Sequence, residues 1–120
     1  MSLTLHTQSN RGYNMSYSHR IADLQLAERL EAFGAVLIEG PKWCGKTTTA
    51  EQLSKSVIKM QDTEMQEEYA ATAASKPSLL LMGETPRLID EWQDAPVLWD
   101  AVRTMVDKRQ VPGQFILTGS

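Results

Sequence analysis

Apolar residues fall along the chain in two alternating rhythms, short unbroken runs and stripes repeating every three or four positions. The first stripe begins after Asp23, a plausible N-cap, with Leu24, Ala27, Leu30 and Phe33 and with Leu26 flanking them. It predicts a one-sided helix that stops at Gly34. Ala35-Val36-Leu37-Ile38 follows as an unbroken run of the kind a strand buried on both faces of a parallel sheet requires. Lys46 to Ser56 then reads as a helix, with Ala50, Leu53 and Val57 at helical spacing. Val57-Ile58-Lys59-Met60 gives a weak second strand. Thr63 to Gln66 has the form of a capping box, opening a helix to about Ser75 that Pro77 ends. Leu79-Leu80-Leu81-Met82 is too short for its period to separate strand from helical turn. Arg87-Leu88-Ile89-Asp90 is a third strand. A stripe of Val97, Leu98, Ala101, Val102, Met105 and Val106 follows, capped by Asp94 and terminated by Pro112-Gly113. Gln114 to Thr118 is a fourth strand. Residues Met1 to Ser18 mix polar residues and glycine with no period, which predicts a flexible N-terminal arm ahead of a single domain over 19–120. Alternating strands and helices imply an α/β fold, a parallel sheet sandwiched by helices.

Between the first strand and its helix lies Gly40-Pro41-Lys42-Trp43-Cys44-Gly45-Lys46-Thr47-Thr48, with glycines, lysine and threonine at the G-x-x-x-x-G-K-[ST] spacing of a phosphate-binding loop. A polyphosphate needs many donors aimed at one small volume. A glycine-hinged loop provides them by turning successive backbone N–H groups inward, and the following helix adds the positive end of its dipole. Lys46 brings a mobile cation, and Thr47 a hydroxyl for a magnesium ion. Gly40 to Thr48 are therefore the candidate nucleotide-binding residues.

Holding phosphate does not hydrolyse it; a metal must be positioned and a water activated. Asp90-Glu91, at the end of the third strand, are the candidates, Asp90 for the metal with Thr47 and Glu91 for the water. Thr118 and Ser120 end the next strand, where an open α/β sheet binds its ligands, and could read the γ-phosphate or the water. Trp92 and Trp99 suit core or interface packing. Cys44 is a small filler at a helix start. His6 and His19 have no evident partner and read as surface histidines.

Composition narrows the function classes. The 120 residues carry a net charge of −3, with a single cysteine. No global basic field recruits nucleic acid or an anionic membrane, no internal disulfide can form, and no Cys/His cluster has metal-site spacing. No apolar stretch approaches the roughly 20 residues of a membrane span. A cytoplasmic protein is expected.

Taken together, Gly40 to Thr48, Leu-Ile-Asp-Glu-Trp-Gln at 88–93, the helix from Asp94 to Lys108 and Phe-Ile-Leu-Thr-Gly-Ser at 115–120 resemble the prokaryotic AAA-like P-loop ATPases. The likeness covers about residues 20–120. It implies ATP and Mg²⁺ as ligands, Lys46 and Thr47 on phosphate and metal, Asp90 and Glu91 as the Walker B pair and a sensor strand ending at Thr118, with Glu91, Lys46 and Thr118 as the catalytic set. Many relatives have Arg at the place of Lys42 and an aliphatic residue at that of Trp92. The resemblance places the sensor strand between the P-loop strand and the Asp90 strand. Numbering the four expected strands in chain order, the sheet order is 2-3-4-1. It further implies that this is an N-terminal piece, lacking an outer strand beyond the P-loop strand, a helical lid and a C-terminal domain of nuclease-like fold. The P-loop strand would then be an open edge unless the N-terminal arm or a neighbour covers it. Expected partners are the nucleotide, that C-terminal domain and other copies of the chain. With no residue assignable as an arginine finger, and Arg103 and Arg109 unplaced, turnover by these residues alone should be weak.

Two other readings compete with an ATPase domain. Asp-Glu-Trp-Gln and Thr-Gly-Ser resemble helicase motifs in isolation, which suggests a helicase or translocase motor, although no basic, aromatic-bearing groove accompanies them. A nucleotide-gated interaction module would bind ATP without significant hydrolysis. No Asn-Lys-x-Asp segment for reading guanine occurs.

Overall fold

The unbroken run at 35–38 becomes β2 (Ala35–Glu39), and its side chains leave alternately on two faces. Ala35 and Leu37 join one buried cluster, Val36 and Ile38 the other. A strand covered on both faces has no polar side to show, which explains why its sequence does not alternate. The computed structural model describes residues 2–6, 15–40 and 46–120, with side chains at 23–40 and 48–120.

The other strands are β1 (Ser2–His6), β3 (Ser56–Lys59), β4 (Arg87–Asp90) and β5 (Phe115–Gly119). All pairs are parallel, in the order β1-β2-β5-β4-β3. The four strands expected from the sequence therefore stand in the order expected for them. α1 (Met15–Ala32) and α2 (Lys46–Leu53) cover one face through Leu26, Leu30 and Ala50, which pack on Val36, Ile38, Leu88 and Ile116. α3 (Gln66–Ser75), the 3-10 segment Pro77–Leu81 and α4 (Val97–Arg109) cover the other through Ala73, Leu80, Leu81, Leu98, Val102 and Val106.

Several local expectations change. The period-two pattern Ser2-Leu3-Thr4-Leu5-His6 forms a strand within the stretch expected to be a flexible arm, and its backbone pairs with β2 from Ser2↔Ala35 to His6↔Glu39. The N-terminal residues thus occupy the edge of the P-loop strand where an outer strand was expected to be missing. The expected boundary at 18/19 falls inside α1. Leu24 is exposed, and the buried stripe of α1 runs through Leu26 and Leu30. α2 stops at Leu53, freeing Val57 for the exposed face of β3. Thr63 caps nothing: the turn before α3 is organised by Asp62, whose carboxylate accepts the Glu64 N–H at 3.0 Å. Asp94 closes a 3-10 turn, Trp92–Asp94, and α4 begins only after Pro96. A proline with fixed φ suits a helix start, and it moves the cap two residues on.

At the ends of β3 and β4 remote from the acidic pair, Arg87 forms a structural bracket. Its Nε donates to the Leu80 carbonyl at 2.8 Å and its Nη1 to Ser56 Oγ at 3.1 Å, while burial pushes its pKa down.

Gly34 joins α1 to β2, and its carbonyl accepts N–H groups from Gln114 and Phe115. A Cβ there would overlap the Val106 side chain. Val106 is β-branched and buried in α4, so it cannot rotate away freely. Gly34→Ala is expected to destabilise the fold by about 1–3 kcal/mol in urea unfolding, and Val106→Ala should suppress part of that cost in the double mutant.

Candidate functional site

In a parallel sheet all strands point their carboxyl ends the same way, and open α/β sheets bind ligands at that end. Here the register pairs Ile38 with Thr118 and Thr118 with Asp90, setting the tips of β2, β5 and β4 side by side. Gly40, the first residue of the glycine loop, donates its N–H to the Gly119 carbonyl at 3.2 Å. The start of the loop is therefore tied to the end of β5.

Thr118 joins the two acids. Its hydroxyl donates to Asp90 Oδ1 at 2.5 Å and accepts the Glu91 backbone N–H at 3.2 Å. Thr118 is fully buried. Its one proton is turned to Asp90 rather than outward, so the structure places it as a bracket between the acids.

Glu91 leaves the strand in the left-handed region, with φ 59° and ψ 54°. For a residue with a Cβ this conformation costs about 1–2 kcal/mol, and such strain persists only where the surroundings fix it. The residue is 3% exposed, and its carboxylate accepts from Gln93 Nε2 at 2.5 Å on Oε2. The Ser120 hydroxyl reaches Oε1 at 2.9 Å and Oε2 at 3.0 Å. Turn and strand tip thus close on one buried carboxylate. Gln93 carried no assigned role in the sequence, although it ends the quoted Leu-Ile-Asp-Glu-Trp-Gln stretch. Only the left-handed Glu91 folds residue 93 back onto it, and no side-chain periodicity announces such a turn.

Trp92 stacks on Trp99 with ring centroids 5.1 Å apart and planes tilted by 39°, and both pack on the core, as expected for core aromatics. Behind them Gly119 has little room. A Cβ would lie 3.0 Å from Trp92 Nε1 and 3.2 Å from Gln93 Oε1. Gly119→Ala should therefore cost about 1–2 kcal/mol and push the turn away from β5, seen as lower thermal stability with altered tryptophan emission.

Pro41, Lys42, Trp43, Cys44 and Gly45, and the side chains of Lys46 and Thr47, lie outside the described residues. α2 nevertheless begins at Lys46 and packs over β5 and β4, so the helix start expected of the motif is in place. Thr48 is exposed, and Thr49 and Ala50 turn inward. At the tip of β3, Lys59 pairs with Glu51 at 2.9 Å. That hydrogen bond, with the Glu51 charge, raises its pKa above the ordinary 10.5. The stabilisation is complete below that ordinary value and is lost as pH rises through the raised one, so Lys59 stays a cation at neutral pH. Arg109 donates to Gln114 Oε1 at 2.7 Å and lies over the Phe115 ring, at the opposite end of β5 from Thr118. Arg103 pairs with Asp100 on the outer face of α4.

Among the described residues no group of three or more His, Cys, Asp or Glu could hold a metal ion. A magnesium ion held together with phosphate does not need one: one carboxylate, a hydroxyl, phosphate oxygens and water satisfy it, and these are hard oxygen donors of the kind Asp90 and Thr47 offer. Asp90, with Oδ1 fixed by Thr118, fits that role. Among the described residues no helix is long and apolar enough to cross a membrane.

An all-parallel sheet with a glycine loop after one inner strand and an acidic pair at the tip of another defines the P-loop NTPase class. Within that class the chain belongs to a family described as AAA domain, whose model matches residues 32–120. Membership suggests a nucleotide-binding, ATPase-type function. The chain is also similar to an uncharacterized protein of Mycobacterium tuberculosis and an uncharacterized protein of Mycobacterium bovis, each 32% identical over 107 residues, covering 88% of this chain. The chain spans 24% of the length of those relatives. No solved structure matches it.

Proposed function

We propose that the chain binds ATP with Mg²⁺ through Gly40 to Thr48 and hydrolyses it with Glu91 as general base. The observation that carries this reading is the Asp90–Thr118–Glu91 bracket, which fixes one acid at the strand tip beside the loop and turns the next one back under β5. Two adjacent residues would otherwise point to opposite sides of a strand. The left-handed turn lets both serve one site.

In this reading the backbone of Gly40 to Gly45 and the Lys46 ammonium hold the phosphates, and Asp90 and Thr47 hold the cation. When bound, Mg²⁺ neutralises charge developing on the β- and γ-phosphate oxygens. Glu91 orients a water and accepts its proton, with Ser120 and Gln93 holding the carboxylate. Thr118 keeps the two acids in register. Among the described residues Arg109 and Arg87 are committed at the other end of the sheet and Arg103 faces outward, so none of these three supplements Lys46. A further cation, from another copy of the chain or from the remainder of a longer protein, would complete the charge in this reading. The length of the relatives favours coupling of hydrolysis to such a remainder.

The test is Mg²⁺-dependent ATP binding and phosphate release by the full-length protein, its Lys46→Ala variant and its Glu91→Gln variant. Failure of the wild type to bind ATP would sink the reading. Binding without phosphate release would replace it with a nucleotide-gated interaction module.

A further inference from the structure

We infer that the groove between α4 and the 3-10 segment Pro77–Leu81 is a self-association surface, in which α4 of a second copy of this chain lies antiparallel against α4. The inference stands apart from the nucleotide reading, since no described residue of that site lines the groove. Two stripes run along α4. Leu98, Val102 and Val106 are buried in the core, and a helix that only covered a sheet would need no other. Val97, Ala101, Thr104 and Lys108 form a second stripe at steps of four, three and four residues, and with Met105 they line a groove of about 400 Å³ whose far wall includes Pro77 and Ser78. Residues so spaced share one helix face, the seam along which two helices meet. Ala101 and Met105 pack on the core yet are only partly buried, Val97 is 45% exposed, and Leu79 in the facing segment is 53% exposed. Apolar surface is thus gathered beside two short side chains, Ala101 and Thr104, that let a helix axis approach closely.

Charge complementarity selects the partner. Among the described residues lining the groove the charged ones are Asp100 and Lys108, an acid near one end and a base about two helical turns on, near the other. A parallel copy would set like charges against each other. An antiparallel copy, related by a two-fold axis near Thr104, brings each acid to the other copy's base, and such a contact repeats itself at both ends. Asp107 lines a different pocket, with Gly34 and Val106. Arg103 pairs with Asp100 at 3.6 Å, but the two side chains are 62% and 78% exposed, and so wet a pair holds the carboxylate weakly.

The test is sedimentation velocity of the full-length protein without nucleotide, over concentrations up to about 100 μM, where the wild type should dimerise. Asp100→Lys and Lys108→Asp should each weaken the dimer about 10-fold or more, because each sets like charges together at both ends of the contact. Mixed in equal amounts, the two variants should recover a dimer about as tight as the wild type's, since every end then joins one lysine to one aspartate. Thr104→Arg, at an exposed position on the proposed axis, should abolish the dimer. A wild type that stays monomeric, a dimer that the charge variants leave intact, or variants that do not recover on mixing would overturn the inference. So would a full-length monomer whose melting temperature falls with Thr104→Arg, the result expected if the remainder of a longer chain fills the groove instead. Thermal unfolding identifies a variant lost to misfolding. Should a charge variant misfold, Thr104→Arg decides: loss of the dimer supports the inference, and an intact dimer overturns it.

Discussion

Lys46→Ala is expected to weaken Mg-ATP binding roughly 10- to 100-fold, the range for removing a cation that hydrogen-bonds charged oxygens. The expectation follows from where the residue falls. Lys46 is the first residue of α2, the helix end where the dipole and the N–H groups of the first turn favour anions. A lysine reaches its phosphate as a point charge, with no requirement for planar geometry, and alanine keeps the helix while removing only that charge. The fold should not notice the change, because α2 is held by Ala50 and Leu53 against the sheet. Isothermal titration with ATP and AMP separates the effects: ATP affinity falls, AMP affinity stays, and the nucleotide-free melting temperature is unchanged. Equal ATP affinity in wild type and variant would remove the phosphate-loop assignment.

The frame of this fold was legible because its strands are buried on both faces. Ala35 to Ile38 and Phe115 to Leu117 have no polar position to misplace, and each is bounded by a glycine or proline that marks its end. Sheet order was not legible from periodicity, since hydrophobic pattern records burial and says nothing of neighbours; it came from the family likeness. β1 was hidden for the opposite reason. A five-residue edge strand alternates for only two apolar positions, Leu3 and Leu5, and inside a polar stretch that signal is too weak to read.

Cap positions depart from the sequence pattern where a stronger local interaction lies nearby. Asp62 outcompetes Thr63 because a carboxylate accepts a backbone N–H more strongly than a hydroxyl does. Asp94 loses its helix to Pro96. In the site, residue types were readable and their directions were not. Asp90, Glu91 and Thr118 were recognisable as chemistry at strand ends. The bracket that turns the Thr118 proton to Asp90 depends on the Asp90↔Thr118 register, which arises from two strands 25 residues apart in sequence as counted from Asp90 to Phe115. Gln93 depends on one backbone rotation at Glu91.

That same rotation makes Glu91→Gln the sharpest test of hydrolysis. The substitution preserves shape, and its amide can satisfy the pocket: the oxygen accepts from Gln93 Nε2, and the nitrogen donates to the Ser120 oxygen. The left-handed backbone and its bond to Thr118 are untouched, since that bond uses the main-chain N–H. The loss is confined to basicity, because a neutral amide takes no proton from water. A positioned general base is worth typically about 10²–10⁴ in rate, so phosphate release should fall by roughly that factor while Mg-ATP affinity stays within about 2-fold. Binding can even outlast turnover, and a stable ATP complex of the variant, isolated by gel filtration, is the expected companion result. The contrast with Lys46→Ala is what gives the pair its force. One variant loses the ligand and the other loses the reaction, and a site in which both lost only affinity would be a binding module in which the buried carboxylate serves the fold.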